Sequence, residues 1–181
     1  MAPNWFITGP PGVGKTTALL ATADRLESVG WDVEGIIAPE RLDATGDRTG
    51  FDIAAYGETP RKVMSSVDRS SGPQVGRYRV DTDAIDAVIT HVLPAARHAA
   101  DLIVIDELGP MQFTSERFVA EVSSTLAGPV PTLATVKETH LETYLGRVGA
   151  DAHGAQIVVT HENRSTLPAE LATTIASSVD P

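Results

Sequence analysis

The sequence contains no cysteine, which excludes a disulfide framework and any thiolate metal site. Lysine is nearly as scarce, with only Lys15, Lys62 and Lys137, and 14 Lys plus Arg against 24 Asp plus Glu give a formal charge of −10. A chain that grips a nucleic-acid backbone carries a basic face, and none is evident, so nucleic acid is not expected as a partner. No window approaches the run of about 20 apolar residues that a membrane span requires. The N-terminus has neither a basic flank nor an apolar signal core, and the expectation is a cytoplasmic protein with no membrane partner. His91, His98, His140, His153 and His161 show no HxH or HExxH spacing, so neither zinc nor a His-based hydrolase is supported. The guanine reader Asn-Lys-x-Asp is also missing: its nearest fragment, Thr135-Val136-Lys137, lacks the acid, and strict base selectivity is not expected. What remains is 181 residues, 42% hydrophobic, enough for one domain with a substantial core.

What is present begins with Gly9-Pro10-Pro11-Gly12-Val13-Gly14-Lys15-Thr16, followed by Thr17. It fills every fixed place of G-x-x-x-x-G-K-[ST], the loop that wraps nucleotide phosphates. A polyphosphate carries several negative charges, and a short loop meets them by turning consecutive backbone N–H groups inward, which glycine permits. Lys15 is expected to reach the β- and γ-phosphates, and the Thr16 hydroxyl to ligate Mg²⁺ at the start of a helix whose dipole favours anions. The loop needs a strand before it and a helix after it. Asn4 to Thr8 reads as the strand, and Thr16 to Val29 carries Leu19, Ala23 and Leu26 at helical spacing.

Further on, Asp32 to Ala38 reads as a strand, Pro39 to Gly50 as a charged loop, and Phe51 to Tyr56 and Val75 to Val80 as two strands of an antiparallel insert. Ile85, Val88, Ile89, Val92, Leu93 and Ala96 form an apolar helical stripe starting at Asp81 or Thr82, in which Pro94 should kink or shorten the helix. Asp101 to Asp106 suits a buried parallel strand. Then come a helix near Ser115 to Ala127, a strand Val130 to Val136, a helix near Glu138 to Val148, a strand Gln156 to Thr160 and a helix from Leu167 to Ser177. This alternation predicts an α/β fold, a three-layer α/β/α arrangement on a mostly parallel sheet, with the ligand at the carboxyl ends of the strands.

The second chemical element is Leu102-Ile103-Val104-Ile105-Asp106-Glu107. An apolar strand beside that of the phosphate loop delivers Asp106 to the Mg²⁺ site, while Glu107, one step beyond the strand end, is placed to orient and deprotonate a water at the γ-phosphate. Thr135, at the end of the following strand, is a candidate for touching the γ-phosphate or that water. Among the few cations, Arg164 is the first candidate for stabilising charge on the leaving phosphates, ahead of Arg48, Arg77, Arg117 and Arg147.

With these sites placed, the chain resembles the small thermophile-type nucleoside-triphosphatases, a family whose animal relative is called cancer-related nucleoside-triphosphatase. The likeness rests on residues 9–17, Arg48-Thr49-Gly50-Phe51-Asp52-Ile53, Val75-Gly76-Arg77-Tyr78, Val104-Ile105-Asp106-Glu107-Leu108-Gly109-Pro110-Met111, Leu133-Ala134-Thr135-Val136 and Asn163-Arg164. The resemblance implies a P-loop fold with a RecA-like sheet and a Mg²⁺-dependent release of the γ-phosphate from ATP, GTP and other nucleoside triphosphates. It also implies nucleotide contacts from Gly9 to Thr16 and from Leu102 to Gly109. The chain departs from the family pattern at Pro110 and Gln112, where lysine and glutamate are usual, and at Arg77, where lysine is usual. The resulting expectation is a triphosphatase in which Lys15 holds phosphate, Thr16 and Asp106 hold Mg²⁺, Glu107 activates water and Arg164 stabilises the transition state. The segment from Pro39 to Val80 is expected to close over the nucleotide as a lid. The competing expectations are a small-molecule or nucleotide kinase and a nucleotide-switched binding module; no protein partner is indicated.

Overall fold

In the structure, a computed structural model that describes residues 2–149 and 154–179, Asn4–Thr8 form a strand buried along its whole length, β1. The phosphate loop leads into α1, Lys15–Glu27, whose buried Ala18, Leu19, Ala23 and Leu26 fall on one face. Then follow β2 (Val33–Ile37), β3 (Glu40–Leu42), β4 (Arg48–Ala55), β5 (Lys62–Ser66), β6 (Gln74–Val75) and β7 (Tyr78–Val80). The chain continues through α2 (Thr82–Ala99), β8 (Leu102–Leu108), α3 (Glu116–Leu126), β9 (Thr132–Val136), α4 (Leu141–Val148), β10 (Gly154–Val158) and α5 (Leu167–Ser178).

One sheet carries the order β10-β1-β9-β8-β2-β4-β5-β7-β6, with β3 paired to β4. From β10 to β2 all pairings are parallel, and from β2 to β6 all are antiparallel. Strand alternation divides the core into two. Trp5, Ile7, Leu102, Val104 and Leu133 pack with α1 and α5 on one face, and Phe6, Ile103, Ile105 and Ala134 pack with α2, α3 and α4 on the other. This is the expected three-layer arrangement.

Three local expectations are corrected. Pro94 does not end α2, which runs on to Ala99, because Leu93 and Ala96 flank it fully buried and tertiary packing offsets the lost helical hydrogen bond. Pro39 to Gly50 is a hairpin rather than a loop: β3 and β4 flank a turn closed by Asp43, whose carboxylate accepts from the Thr45 and Asp47 amides at 2.8 and 3.0 Å. Val75 to Val80 is split by a tight turn at Gly76, with φ of 58°, into β6 and β7. The insert also gains β5, which the polar sequence Lys-Val-Met-Ser-Ser does not announce. Ile36 and Ile37 of β2 pair with Ala55 and Ala54 of β4, while Ile53, Met64, Tyr78 and Val80 belong to the core beneath α2. The insert is therefore continuous with the main sheet, which does not support the closure of residues 39–80 as a hinged lid.

The sheet order also corrects the expected position of the Asp106 strand. β9 lies between β1 and β8, so Asp106 reaches the phosphate loop across an intervening strand. The sequence order of the strands carries no information on this crossover.

Candidate active site

The phosphate loop is built on two glycines that no other residue can replace at low cost. Gly14, at φ 111°, is the N-terminal cap of α1, and a Cβ on Gly9 would lie 2.9 Å from the Val159 carbonyl oxygen. Val13 is buried against the α1 core and pins the loop, whereas Pro10, Pro11 and Gly12 are exposed. The Lys15 ammonium donates to the carbonyls of Gly9 and Pro10, both at 3.1 Å, and so folds back over the loop where an anion would sit. Thr16 and Thr17 are exposed in the first turn of α1.

Leu102, Ile103, Val104 and Ile105 are fully buried, with their side chains in the two core faces. The strand's ionisable side chains stand at its end. Between β8 and β9 the register runs from Ile105↔Ala134 to Leu108↔Val136, so β8 carries one extra residue across Asp106 and Glu107. Such a bulge re-aims the side chains at a strand end. Glu107 consequently lies within β8, not beyond it as the sequence suggested.

Asp106, 5% exposed, receives three contacts from hydroxyls. Thr16 Oγ1 lies 3.0 and 3.1 Å from its two carboxylate oxygens, and Thr135 Oγ1 donates to Oδ1 at 2.6 Å. Thr135 is itself fully buried on the intervening strand β9, and its hydroxyl is spent on holding Asp106. Burial pushes the Asp106 carboxyl above its ordinary range, opposed by the bonds from Thr135 and Thr16 and by the charge of Lys15. Glu107 is raised as well, by burial first and then by Asp106, with Lys15 opposing. Its carboxylate has no hydrogen-bond partner among the described residues. A Cβ on Gly109 would stand 2.7 Å from Glu107 Oε1 and 2.9 Å from Gln112 Oε1, so these two side chains converge over a residue that has none.

Arg164 is exposed, with its aliphatic stem beside the loop: its Cδ would be 3.9 Å from a Cβ on Gly14. Its turn is tied by Asn163, whose side chain accepts from the Thr160 amide and donates to the Val158 carbonyl, both at 2.8 Å. The other arginines are engaged elsewhere or lie on an outer face. Arg48 pairs with Glu40 at 2.7 Å, Arg77 stands over the Tyr78 ring, Arg147 donates to the Phe113 carbonyl, and Arg117 is on the exposed side of α3. Among the described residues no three His, Cys, Asp or Glu side chains converge on a metal site; His153 lies outside them.

Known proteins place this geometry in a family. A family model described as NTPase matches residues 4–172. The chain belongs to the NTPase family. A protein of Thermofilum pendens named nucleoside-triphosphatase THEP1 is 35% identical over 181 residues, covering 98% of each chain. One of the same name from Pyrococcus abyssi is 37% identical over 170 residues, 93% of this chain and 89% of that one. Among solved structures, THEP1 from the hyperthermophile Aquifex aeolicus superposes with a TM-score of 0.81 at 28% identity, over 95% of this chain and 98% of that one.

In this member of the NTPase family, the phosphate loop, Asp106, Glu107, Gly109 and Thr135 assemble at one end of the parallel strands, with Arg164 at the margin. Two residues were noted in the sequence without their roles. Asn163, quoted there only as part of the Asn163-Arg164 motif, fixes the turn that carries Arg164, and Gln112, noted only as a departure from the family pattern, shares a cavity wall with Glu107. Neither lies in a spacing pattern that announces its role; both depend on chain segments meeting in space.

Proposed function

We propose that the chain is a Mg²⁺-dependent nucleoside-triphosphate phosphohydrolase of the cytoplasm, which releases the γ-phosphate from ATP, GTP and other nucleoside triphosphates with little base preference. The observation that carries this reading is the meeting of Thr16, Asp106 and Glu107 beside Lys15, in a family whose relatives are named nucleoside-triphosphatases. Those names favour water over an acceptor hydroxyl as the nucleophile. Among the described residues no helix is long and apolar enough to cross a membrane.

The donor set fits Mg²⁺. A hydroxyl and a carboxylate, both hard oxygen donors, already lie in contact, and the carboxylate forms no ion pair among the described residues. Thr16 and Asp106 would hold the ion, with substrate phosphates completing its shell. When bound, the ion neutralises charge on the β- and γ-phosphate oxygens. Thr135 keeps Asp106 oriented. Lys15 exchanges its two loop carbonyls for phosphate oxygens, and the loop amides line the polyphosphate. Glu107 takes the proton of the attacking water as the new P–O bond forms, while the bond to the β–γ bridging oxygen breaks and the diphosphate leaves with that electron pair. Arg164 reaches over the loop toward the charge that develops on the leaving group.

Phosphate release from the Mg²⁺ complexes of ATP, GTP, CTP and UTP tests the proposal. The kcat/KM values should fall within about tenfold of one another, and Lys15→Ala should abolish release by removing the phosphate cation. Release confined to a single nucleotide, or persisting in Lys15→Ala, would contradict it.

A further inference from the structure

On the insert side of Glu107 the sheet end carries a half-open cavity of about 280 Å³ that no phosphate-loop residue lines. Phe51 and Met64 of the insert form one side, Val75 and Tyr78 of its last hairpin another, and Met111 and Gln112 the segment after β8. The lining is mostly apolar, yet two polar groups line it without hydrogen-bond partners among the described residues. Gln112 is only 2% exposed, and its amide makes no hydrogen bond among the described residues. Glu107 reaches the cavity from β8, likewise without a hydrogen bond. An amide that faces a cavity without a protein partner is a place where a ligand's polar group gains a hydrogen bond.

The opposite wall is fixed in place. Tyr78 accepts from Arg48 Nε at 3.1 Å, and its ring meets Phe51 edge-on at 5.6 Å. Arg48 is neutralised by Glu40 at 2.7 Å and receives a hydrogen bond from Arg77 on its carbonyl. The cavity is thus preformed, as small-molecule sites generally are, and offers no unpaired cation for an anionic ligand. An apolar cavity of about 150 Å³ holds a benzene, so this one has room for a substituted ring.

We propose that this cavity binds a compact, uncharged, ring-bearing molecule with one hydroxyl- or amide-type group, seated with that group against Gln112 and Glu107. The occupant's polar end then covers the approach of water to Glu107, so occupancy lowers turnover without competing for the phosphate loop. Only this last consequence rests on the hydrolase reading.

4-Methylphenol is a suitable probe, with toluene and 4-methylbenzoate as its apolar and anionic counterparts. With ¹³C-methyl-methionine labelling, the Met64 and Met111 resonances, both on the cavity wall, should shift saturably with 4-methylphenol. Affinity should be at least tenfold weaker for toluene, and 4-methylbenzoate should leave both resonances unmoved. Val75→Trp, which fills the space, should abolish the shifts, and Gln112→Leu should erase the preference for the phenol over toluene while retaining toluene binding. Non-saturating shifts in the wild type, or saturable shifts that survive in Val75→Trp, would overturn the site; an unchanged preference in Gln112→Leu would overturn the seating of the polar group. Failure of phosphate release without any probe would overturn the hydrolase reading and leave these shifts as they are.

Discussion

Glu107 is a half-buried carboxylate beside another, with no hydrogen-bond donor among the described residues, and both effects favour its protonated form. As the proposed base it must be ionised, so kcat/KM, which reports the free enzyme, should rise with pH through a point above the ordinary glutamate value of 4.5. Stability runs the other way. Between 4.5 and the raised folded value the native state binds more protons than the unfolded chain, so stability falls as pH rises through that window. Glu107→Gln removes the penalty: without nucleotide or metal at pH 7 its melting temperature should exceed that of the wild type, at about 2–4 °C per kcal/mol recovered in a chain of this size. The gain should vanish below pH 4.5. Thermal melts at the two pH values check it. Thr135 is the complementary case, since its hydroxyl serves only Asp106. Thr135→Val keeps the shape of β9 and should raise the Mg²⁺ concentration for half-maximal phosphate release about 10- to 100-fold, with little change in the KM for nucleotide measured at saturating Mg²⁺.

At the scale of elements, the site depends on the bulged end of β8 and on the insert that walls it. Gly50 illustrates the second dependence, because a Cβ there would lie 2.0 Å from the Ser65 carbonyl oxygen on β5. Gly50→Ala must displace β5 from β4. Amide exchange should accelerate at Met64, Ser65 and Ser66 while the amides of β1 and β9 stay protected, because those strands lie on the far side of β2 and β8. The same contrast explains what could be read in advance. The buried strands β1, β8 and β9 and the stripe of α2 are legible because an apolar run or a 3.6-residue period is a local property. The insert was read as two strands instead of five because β3 and β5 are short, polar on one face and held mainly by their partners. Pro94 misled for a related reason: the burial of Leu93 and Ala96 outweighs a local penalty. The phosphate loop and Asp106-Glu107 were legible because polyphosphate chemistry constrains adjacent residues. Gln112, Asn163 and the position of β9 between β1 and β8 depend on distant segments, and no local pattern records them.

At the scale of the molecule, the chain carries a formal charge of −10, yet its site is meant for a polyanion. On the proposed mechanism, Lys15, the loop amides and the start of α1 would hold the phosphates against the field of the whole chain, with Mg²⁺ supplying much of the compensation. On the proposed mechanism, water activated by Glu107 attacks the γ-phosphate held by this loop. The most direct measurement is a single turnover of MgATP in ¹⁸O-labelled water, for wild type and Glu107→Gln, with nucleotide affinity measured alongside. One labelled oxygen is expected in the released phosphate of the wild type, and a rate about 10²- to 10⁴-fold lower in Glu107→Gln at unchanged affinity. Unlabelled phosphate, or a Glu107→Gln rate equal to that of the wild type, would contradict it.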